Sequence, residues 1–248
     1  MLGRTLSHLG SDLPPVPLAG RLDAAGVAIP LVAAVCLTVG YYEGSVPAGD
    51  AFARLLPPLG RLAPIAGPLY AFAASVLLYL LVPLGVLRAL GEPMGEYGLG
   101  PGRWRLGLVL SGVVLAVMVP IVLVAARLPA FAARYPLAPA AGQSLHLFVA
   151  YETGYVAYFI AWEHTFRAFL LVGLYRRIGL HAVSVTTLAF VLVHFGKPEA
   201  ETLGSAVAGI VLAYLALRTR SFWWGALVHA VVAVVMDAAA AWGRLTAG

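Results

Sequence analysis

Long apolar runs separated by short polar stretches occupy most of this chain. Seven of them predict membrane-crossing helices, at 24–42, 64–88, 106–127, 144–175, 181–196, 203–217 and 222–242. The fourth run is too long for one simple span, so we expect it to tilt, to kink, or to divide into an interfacial piece and a span. The pattern predicts an all-α, polytopic transmembrane helix bundle with about 7–8 spans.

The composition supports this class and excludes others. Hydrophobic residues make up 61% of the 248 residues and charged residues only 11%, which argues against a soluble enzyme, a disordered chain or a coiled coil. The net charge of +5 comes from basic residues scattered near the ends of the predicted spans, so nucleic acid is not an expected partner. The single cysteine, Cys36, cannot form an internal disulfide.

The two halves of the chain differ in their polar content. Residues 1–143 are interpreted as an N-terminal membrane region with about three spans plus interfacial segments, and residues 144–248 as a helical core that holds the site. Ionisable residues inside predicted spans are concentrated in this core: Glu152, Glu163, His164, Arg167, His194, His229 and Asp237. An unpaired charge in the middle of a bilayer costs about 2.5–3.5 kcal/mol on insertion scales. These groups must therefore face one another or a wet cavity.

Helical geometry brings some of these side chains together, although each has a structural explanation as well. Glu163 and Arg167 are four residues apart and within mutual reach, so they form either a packing ion pair or part of a site. Glu152 precedes Glu163 by about three turns and shares its face, but we expect it to be solvated near an interface. His194 or His229, taken alone, is more typical of a hydrogen-bonded histidine inside a bundle.

Three kinds of hydrolytic site can be compared with these residues. The His-Glu-x-x-His metal motif is absent, although Glu163, His194 and His229 could supply three ligands. Ser205 is the only serine deep in a late predicted span, and its small neighbours indicate helix packing rather than a nucleophile. A carboxylate and imidazole site that activates water remains.

Three motifs in this half resemble those of the bacterial CAAX-protease-like intramembrane endopeptidases, relatives of the eukaryotic prenyl-protein protease. The first motif, Glu-Glu-x-x-x-Arg, corresponds to Trp162-Glu163-His164-Thr165-Phe166-Arg167. The second, Phe-x-x-x-His, is intact from Phe190 to His194, and the third, His-x-x-x-Asn or Asp, corresponds to the segment from His229 to Ala233. The resemblance covers roughly residues 145–240.

The resemblance implies a catalytic group without metal or cofactor. Glu163 would be the base or the water-binding group, and His194 would be its partner. His229 would be a second donor near the carbonyl oxygen, and Arg167 would orient Glu163. The family's polar groups act on a peptide bond inside the membrane.

Two positions depart from the family pattern. Trp162 stands where the first glutamate is expected, and Ala233 stands where the third motif has an amide or acid, although Asp237 one turn later could compensate. Either Glu163 acts as the sole carboxylate, or the protein is an inactive relative that serves as a membrane scaffold or an immunity or binding protein. The active alternative is favoured because an inactive site has little reason to keep these polar groups in hydrocarbon.

The sequence therefore predicts an intramembrane endopeptidase of the glutamate type in a bacterial inner (cell) membrane. Its partners would be the lipid bilayer and a membrane-embedded or lipid-anchored protein or peptide. Peptide maturation and removal of a C-terminal tail, as in myxosortase-type relatives, are both open. A metalloprotease and a transporter are the further alternatives, and the lack of an internal repeat argues against the transporter.

Overall fold

The computed structural model describes residues 23–55, 57 and 59–246, and this part of the chain forms helices joined by turns, without any strand. The predicted all-α class is confirmed; the first 22 residues of the predicted N-terminal region lie outside the described residues. The α-helices are α1 (Ala24–Tyr42), α2 (Val46–Ala53), α3 (Ala66–Val76), α4 (Val82–Ala89), α5 (Trp104–Ala125), α6 (Pro129–Ala132), α7 (Leu145–Glu163), α8 (Gly173–Ile178), α9 (His181–Leu192), α10 (Glu199–Thr219) and α11 (Trp223–Thr246).

Two π-helical segments join α-helices end to end. The first π segment, Leu77–Leu81, connects α3 to α4, and the second π segment, His164–Val172, connects α7 to α8. The long apolar run 144–175 therefore forms one continuous helical rod instead of dividing. Short 3-10 turns complete the fold at Gly60–Ile65, Met94–Glu96 and Pro139–Gln143.

Among the described residues, five helices are long and apolar enough to cross a membrane. They are α1, the run Gly60–Ala89, α5, α10, and the part of α11 from Trp223 to Trp242. The helix α9 has only 12 residues. The protein is an integral membrane protein with several spans, and the total of about 7–8 spans stays a prediction.

The helix α9 ends earlier than the apolar run in the sequence predicts. The run 181–196 predicted one helix, but α9 stops at Leu192 and the chain turns, with Gly196 at φ +89°. A positive φ at this position favours glycine and is incompatible with continuing the helix. The helix α10 then begins after Pro198 with two glutamates in its first turn, four residues before the predicted 203. Acidic residues suit this end because the helix dipole is positive there.

The second π segment lies at the centre of the bundle. Residues 164–171 are all buried, and they pack among α1, α4, α9, α10, α11 and the first π segment. The backbone carbonyl oxygen of Tyr79, in the first π segment, accepts hydrogen bonds from His164 Nδ1 at 3.0 Å and Thr165 Oγ1 at 2.6 Å. A π-helix shifts backbone bonding from i+4 to i+5 and is often found at functional sites.

The helix α5 presents an apolar surface outward. It packs against α10 and α11, while Val109, Val113 and Val117 are about 60% exposed. A soluble protein would bury such a continuous apolar face, whereas a bilayer solvates it.

Candidate active site

Glu163 and Arg167 form a fully buried ion pair where α7 passes into the second π segment. Arg167 Nε donates to Glu163 Oε2 at 2.9 Å, and both side chains are 0% exposed. Arg167 Nη1 donates to the Gly209 carbonyl on α10 at 3.3 Å, and its guanidinium lies 4.7 Å from the centre of the Phe190 ring. A buried charge pair needs such additional partners to offset its lost hydration.

His229, on α11, binds the other oxygen of the same carboxylate. Its Nδ1 lies 2.8 Å from Glu163 Oε1, and its ring packs against Phe159 at 4.3 Å between centroids. Because a carboxylate oxygen accepts hydrogen bonds, Nδ1 carries the hydrogen. With the hydrogen on Nδ1, the neutral form of the ring has an acceptor lone pair on Nε2. This chain of Arg167, Glu163 and His229 resembles the way a buried carboxylate orients a catalytic imidazole.

His194 follows the end of α9 and is anchored in a similar way. Its Nδ1 lies 2.6 Å from the carbonyl oxygen of Phe190, which can only accept, so Nδ1 again carries the hydrogen. The carbonyl of His194 in turn accepts from Thr202 Oγ1 at 2.9 Å. The Phe190 ring contacts both imidazoles, at 4.5 Å from His194 and 5.9 Å from His229.

Both histidines line a cavity of about 680 Å³ between the two halves of the chain. The N-terminal half supplies the second half of α1, the turn after it, α3 and Tyr79, and the C-terminal half supplies α7, the end of α9 and His229. Much of the wall is aromatic, including Tyr79, Tyr155 and Tyr158. A largely apolar cavity with a few convergent polar groups is typical of a binding site.

Glu163 itself does not line this cavity. It is 0% exposed, and both of its oxygens are bound, one to Arg167 and one to His229. This differs from the expected arrangement, in which Glu163 contacts the attacking water. The physical reason is that Glu163 lies on the side of the helical rod that faces α11. Its carboxylate therefore acts on the cavity only indirectly, through its contact with the ring of His229.

Trp162 occupies the cavity wall where the family motif has its first glutamate. It stacks on Tyr158 at 5.3 Å and meets Tyr79 edge-on at 5.3 Å. Its side chain is 7% exposed. The motif position that faces the cavity thus carries an indole instead of a carboxylate.

Glu152 and Asp237 are both buried, which corrects the expectation for Glu152. Glu152 is 7% exposed instead of solvated, and Asp237 is 0% exposed. None of their four carboxyl oxygens has a hydrogen-bond partner among the described residues. Asp237 thus makes no hydrogen bond to His229. Ala233, between them on α11, packs against the aromatic cluster around Tyr155.

Two glycines that the sequence motifs do not include shape the site. A Cβ built on Gly225 would lie 3.0 Å from Glu163 Oε2, so glycine makes room for the carboxylate. Gly209 packs against Thr187 on α9 and also supplies the carbonyl oxygen that Arg167 binds. The four-residue spacing between Gly225 and His229 predicts that both residues lie on the same face of a helix. It does not predict that this face contacts Glu163.

No three His, Cys, Asp or Glu side chains in the described part of the chain converge closely enough to hold a metal ion. The possible ligand set of Glu163, His194 and His229 is therefore not assembled.

The fold and this centre define an integral membrane protein with a buried carboxylate and imidazole site beside an aromatic cavity. Residues 144–235 match the family model described as Type II CAAX prenyl endopeptidase Rce1-like. The match covers less than half of the chain and confirms, for this segment, the resemblance to the CAAX-protease-like endopeptidases, which are peptide hydrolases. It includes Glu163, Arg167, His194 and His229. Neither curated proteins nor solved structures gave a match.

Proposed function

We propose that the protein is an intramembrane endopeptidase that hydrolyses a peptide bond in a membrane-embedded or lipid-anchored substrate. Its role would be C-terminal processing or peptide maturation in a bacterial inner membrane. The observation that carries the proposal is the pair of cavity-lining imidazoles, His194 and His229, each anchored through Nδ1. This leaves the Nε2 atom of each ring to accept a hydrogen bond from water.

In this mechanism His194 orients the water and His229 takes its proton. As the water oxygen attacks the peptide carbonyl carbon, the proton moves to His229 Nε2. The C–N bond then breaks, and the leaving nitrogen takes that proton back from His229. Glu163 stabilises the charged ring through the 2.8 Å contact with Nδ1, and Arg167 holds Glu163 in place. Glu163 and Arg167 are thus positioning residues.

The test is cleavage of membrane-segment peptides in liposomes by the wild type and single variants. His194→Ala and His229→Ala are expected to lower kcat/KM by about 10²–10⁴, and Glu163→Gln is expected to lower kcat because it weakens the support of the charged ring. Trp162→Ala is expected to keep activity. His181→Ala, at the exposed start of α9, is the matched histidine control. Full activity of His229→Ala would contradict the mechanism, and inactivation by a chelator would favour a metalloprotease.

The indole at Trp162 favours one alternative, an inactive relative that binds a peptide in the same cavity. In that case wild-type protein would bind peptides without cleaving them. Trp162→Glu, which places a carboxylate on the cavity wall, would then create cleavage that the wild type lacks. The endopeptidase proposal instead expects wild-type cleavage that does not depend on this substitution.

A further inference from the structure

The cavity contains a charged group that the proposed mechanism does not use. Among the described residues lining it, Lys197 is the one with a formal charge at neutral pH. The other lining side chains are apolar, aromatic, hydroxyl-bearing or imidazole groups. A single ammonium group on an otherwise uncharged wall selects for an anionic group on whatever occupies the cavity.

The position of Lys197 is fixed by the turn that carries His194. The backbone N–H of Lys197 donates to the His194 carbonyl at 3.2 Å, and Gly196 between them has a positive φ. Lys197 is therefore less than one helical turn along the chain from the imidazole that orients the water. An anion bound at Lys197 would lie close to the peptide bond being cleaved.

The ammonium group of Lys197 is held in place by one hydrogen bond and has further N–H donors available for a ligand. Lys197 Nζ donates to Glu201 Oε1 at 2.7 Å, and Glu201 Oε2 accepts from Tyr135 Oη at 2.6 Å. The Lys197 side chain is 22% exposed. An ammonium group has three N–H donors, so two remain for a ligand after the bond to Glu201. Because Tyr135 also donates a hydrogen bond to the Glu201 carboxylate, Glu201 does not depend on Lys197 alone, and the lysine can bind a second anion.

From these contacts we propose that Lys197 binds the free C-terminal α-carboxylate of the peptide substrate. This inference rests on the proposed endopeptidase function and specifies its substrate. A terminal carboxylate fits because it offers two acceptor oxygens to the free N–H donors in a largely apolar cavity, where charged hydrogen bonds are strengthened. Internal segments, which lack this anion, would not gain the contact.

The test is binding of two peptides of identical sequence, one with a C-terminal acid and one with an amide. Affinity is measured by fluorescence anisotropy with full-length protein in nanodiscs of zwitterionic lipid. The wild type is expected to bind the acid about tenfold more tightly. Lys197→Met should remove this preference by weakening binding of the acid. Glu201→Gln should increase the preference, because it removes the negative charge that competes for the ammonium group.

Each outcome either supports or overturns the inference. Equal binding of acid and amide by the wild type would overturn it, as would an unchanged preference in both variants. If Lys197→Met does not fold, the Glu201→Gln variant still tests the proposal. A lower preference for the acid in Glu201→Gln than in the wild type would contradict it. Nanodiscs with anionic lipid identify a competing source of anion: if anionic lipid abolishes the acid preference, Lys197 binds lipid headgroups instead.

Cleavage of the same peptides separates this inference from the proposed function. Wild type that binds the acid selectively but cleaves neither peptide would contradict the endopeptidase and leave the carboxylate site intact. Wild type that cleaves acid and amide equally well would contradict the carboxylate site and leave the endopeptidase intact.

Discussion

Gly225 makes room for the carboxylate that supports His229. An added methyl group would approach Glu163 Oε2 to 3.0 Å, and this oxygen is held by Arg167. We therefore expect Gly225→Ala to push the carboxylate away from the Nδ1 of His229. Because a small displacement of a positioned group has large kinetic effects, kcat should fall by about 10–100-fold while KM changes little.

The control for this substitution is Gly204→Ala, since a Cβ there meets no atom within 4 Å. Its kcat should equal that of the wild type, and its helix should be slightly more stable because alanine favours helices over glycine. Equal kcat values for the two variants would contradict the positioning role of Glu163.

At the scale of single residues, the sequence identified the polar side chains but not their partners. Glu163 and Arg167 were expected to interact because four residues separate them on a helix, and they do. Glu152 was expected to be solvated because it lies near the start of a predicted span, yet it is buried. Its burial depends on how α7 and α11 pack, and the spacing of residues within one helix contains no information about this.

At the scale of elements, the two π segments hold the centre of the bundle together. Thr165 Oγ1 donates to the Tyr79 carbonyl at 2.6 Å, and both residues are buried. Thr165→Val keeps the shape of the side chain and removes this donor, so it should lower the free energy of unfolding by about 1 kcal/mol. Thr153→Val is the control, because the Thr153 hydroxyl bonds within its own helix on an exposed face. Thermal unfolding in detergent measures both, and equal melting temperatures would contradict the role of the bond.

Apolar runs predicted the long helices well and their irregularities poorly. The bounds 24–42 match α1, since an apolar run bounded by Asp23 at the N-cap and a turn at its end leaves little choice. The π segments were not predicted, because Leu77–Leu81 and His164–Val172 have no local composition that distinguishes π from α hydrogen bonding. Tertiary contacts between them, through the carbonyl of Tyr79, stabilise the irregular backbone instead.

At the scale of the whole molecule, the cavity needs both halves of the chain. The histidines come from residues after 144, whereas α1, α3 and Tyr79 form the facing wall. The matched family segment, 144–235, contains the polar centre but not this wall. The N-terminal wall should therefore contribute to substrate binding together with Lys197, which lies in the same half as the proposed catalytic histidines.

One ion network, centred on the last turn of α8, joins these two halves. Arg177 Nε and Nη2 donate to the two oxygens of Asp23 at 2.6 and 2.8 Å, and Nη2 also donates to Glu92 at 2.7 Å. Asp23 in turn caps α1 by accepting from the Gly26 N–H. The hydrogen bond from Arg177 holds the pKa of Asp23 below its ordinary value of 3.8, against a smaller opposing effect of burial.

Arg177→Met should therefore lower the free energy of unfolding by about 1 kcal/mol at pH 7, or roughly 2–4 °C in melting temperature. Since the pKa of Asp23 is lowered on folding, its contribution is fully present above pH 3.8 and is lost as the pH falls through the folded value. The difference between wild type and variant should accordingly shrink below pH 3.8. Arg88→Met, at an exposed position on α4, is the control. A difference that stays constant down to the lowest pH at which the protein folds would show that packing of the arginine side chain, rather than its charge, joins the two halves.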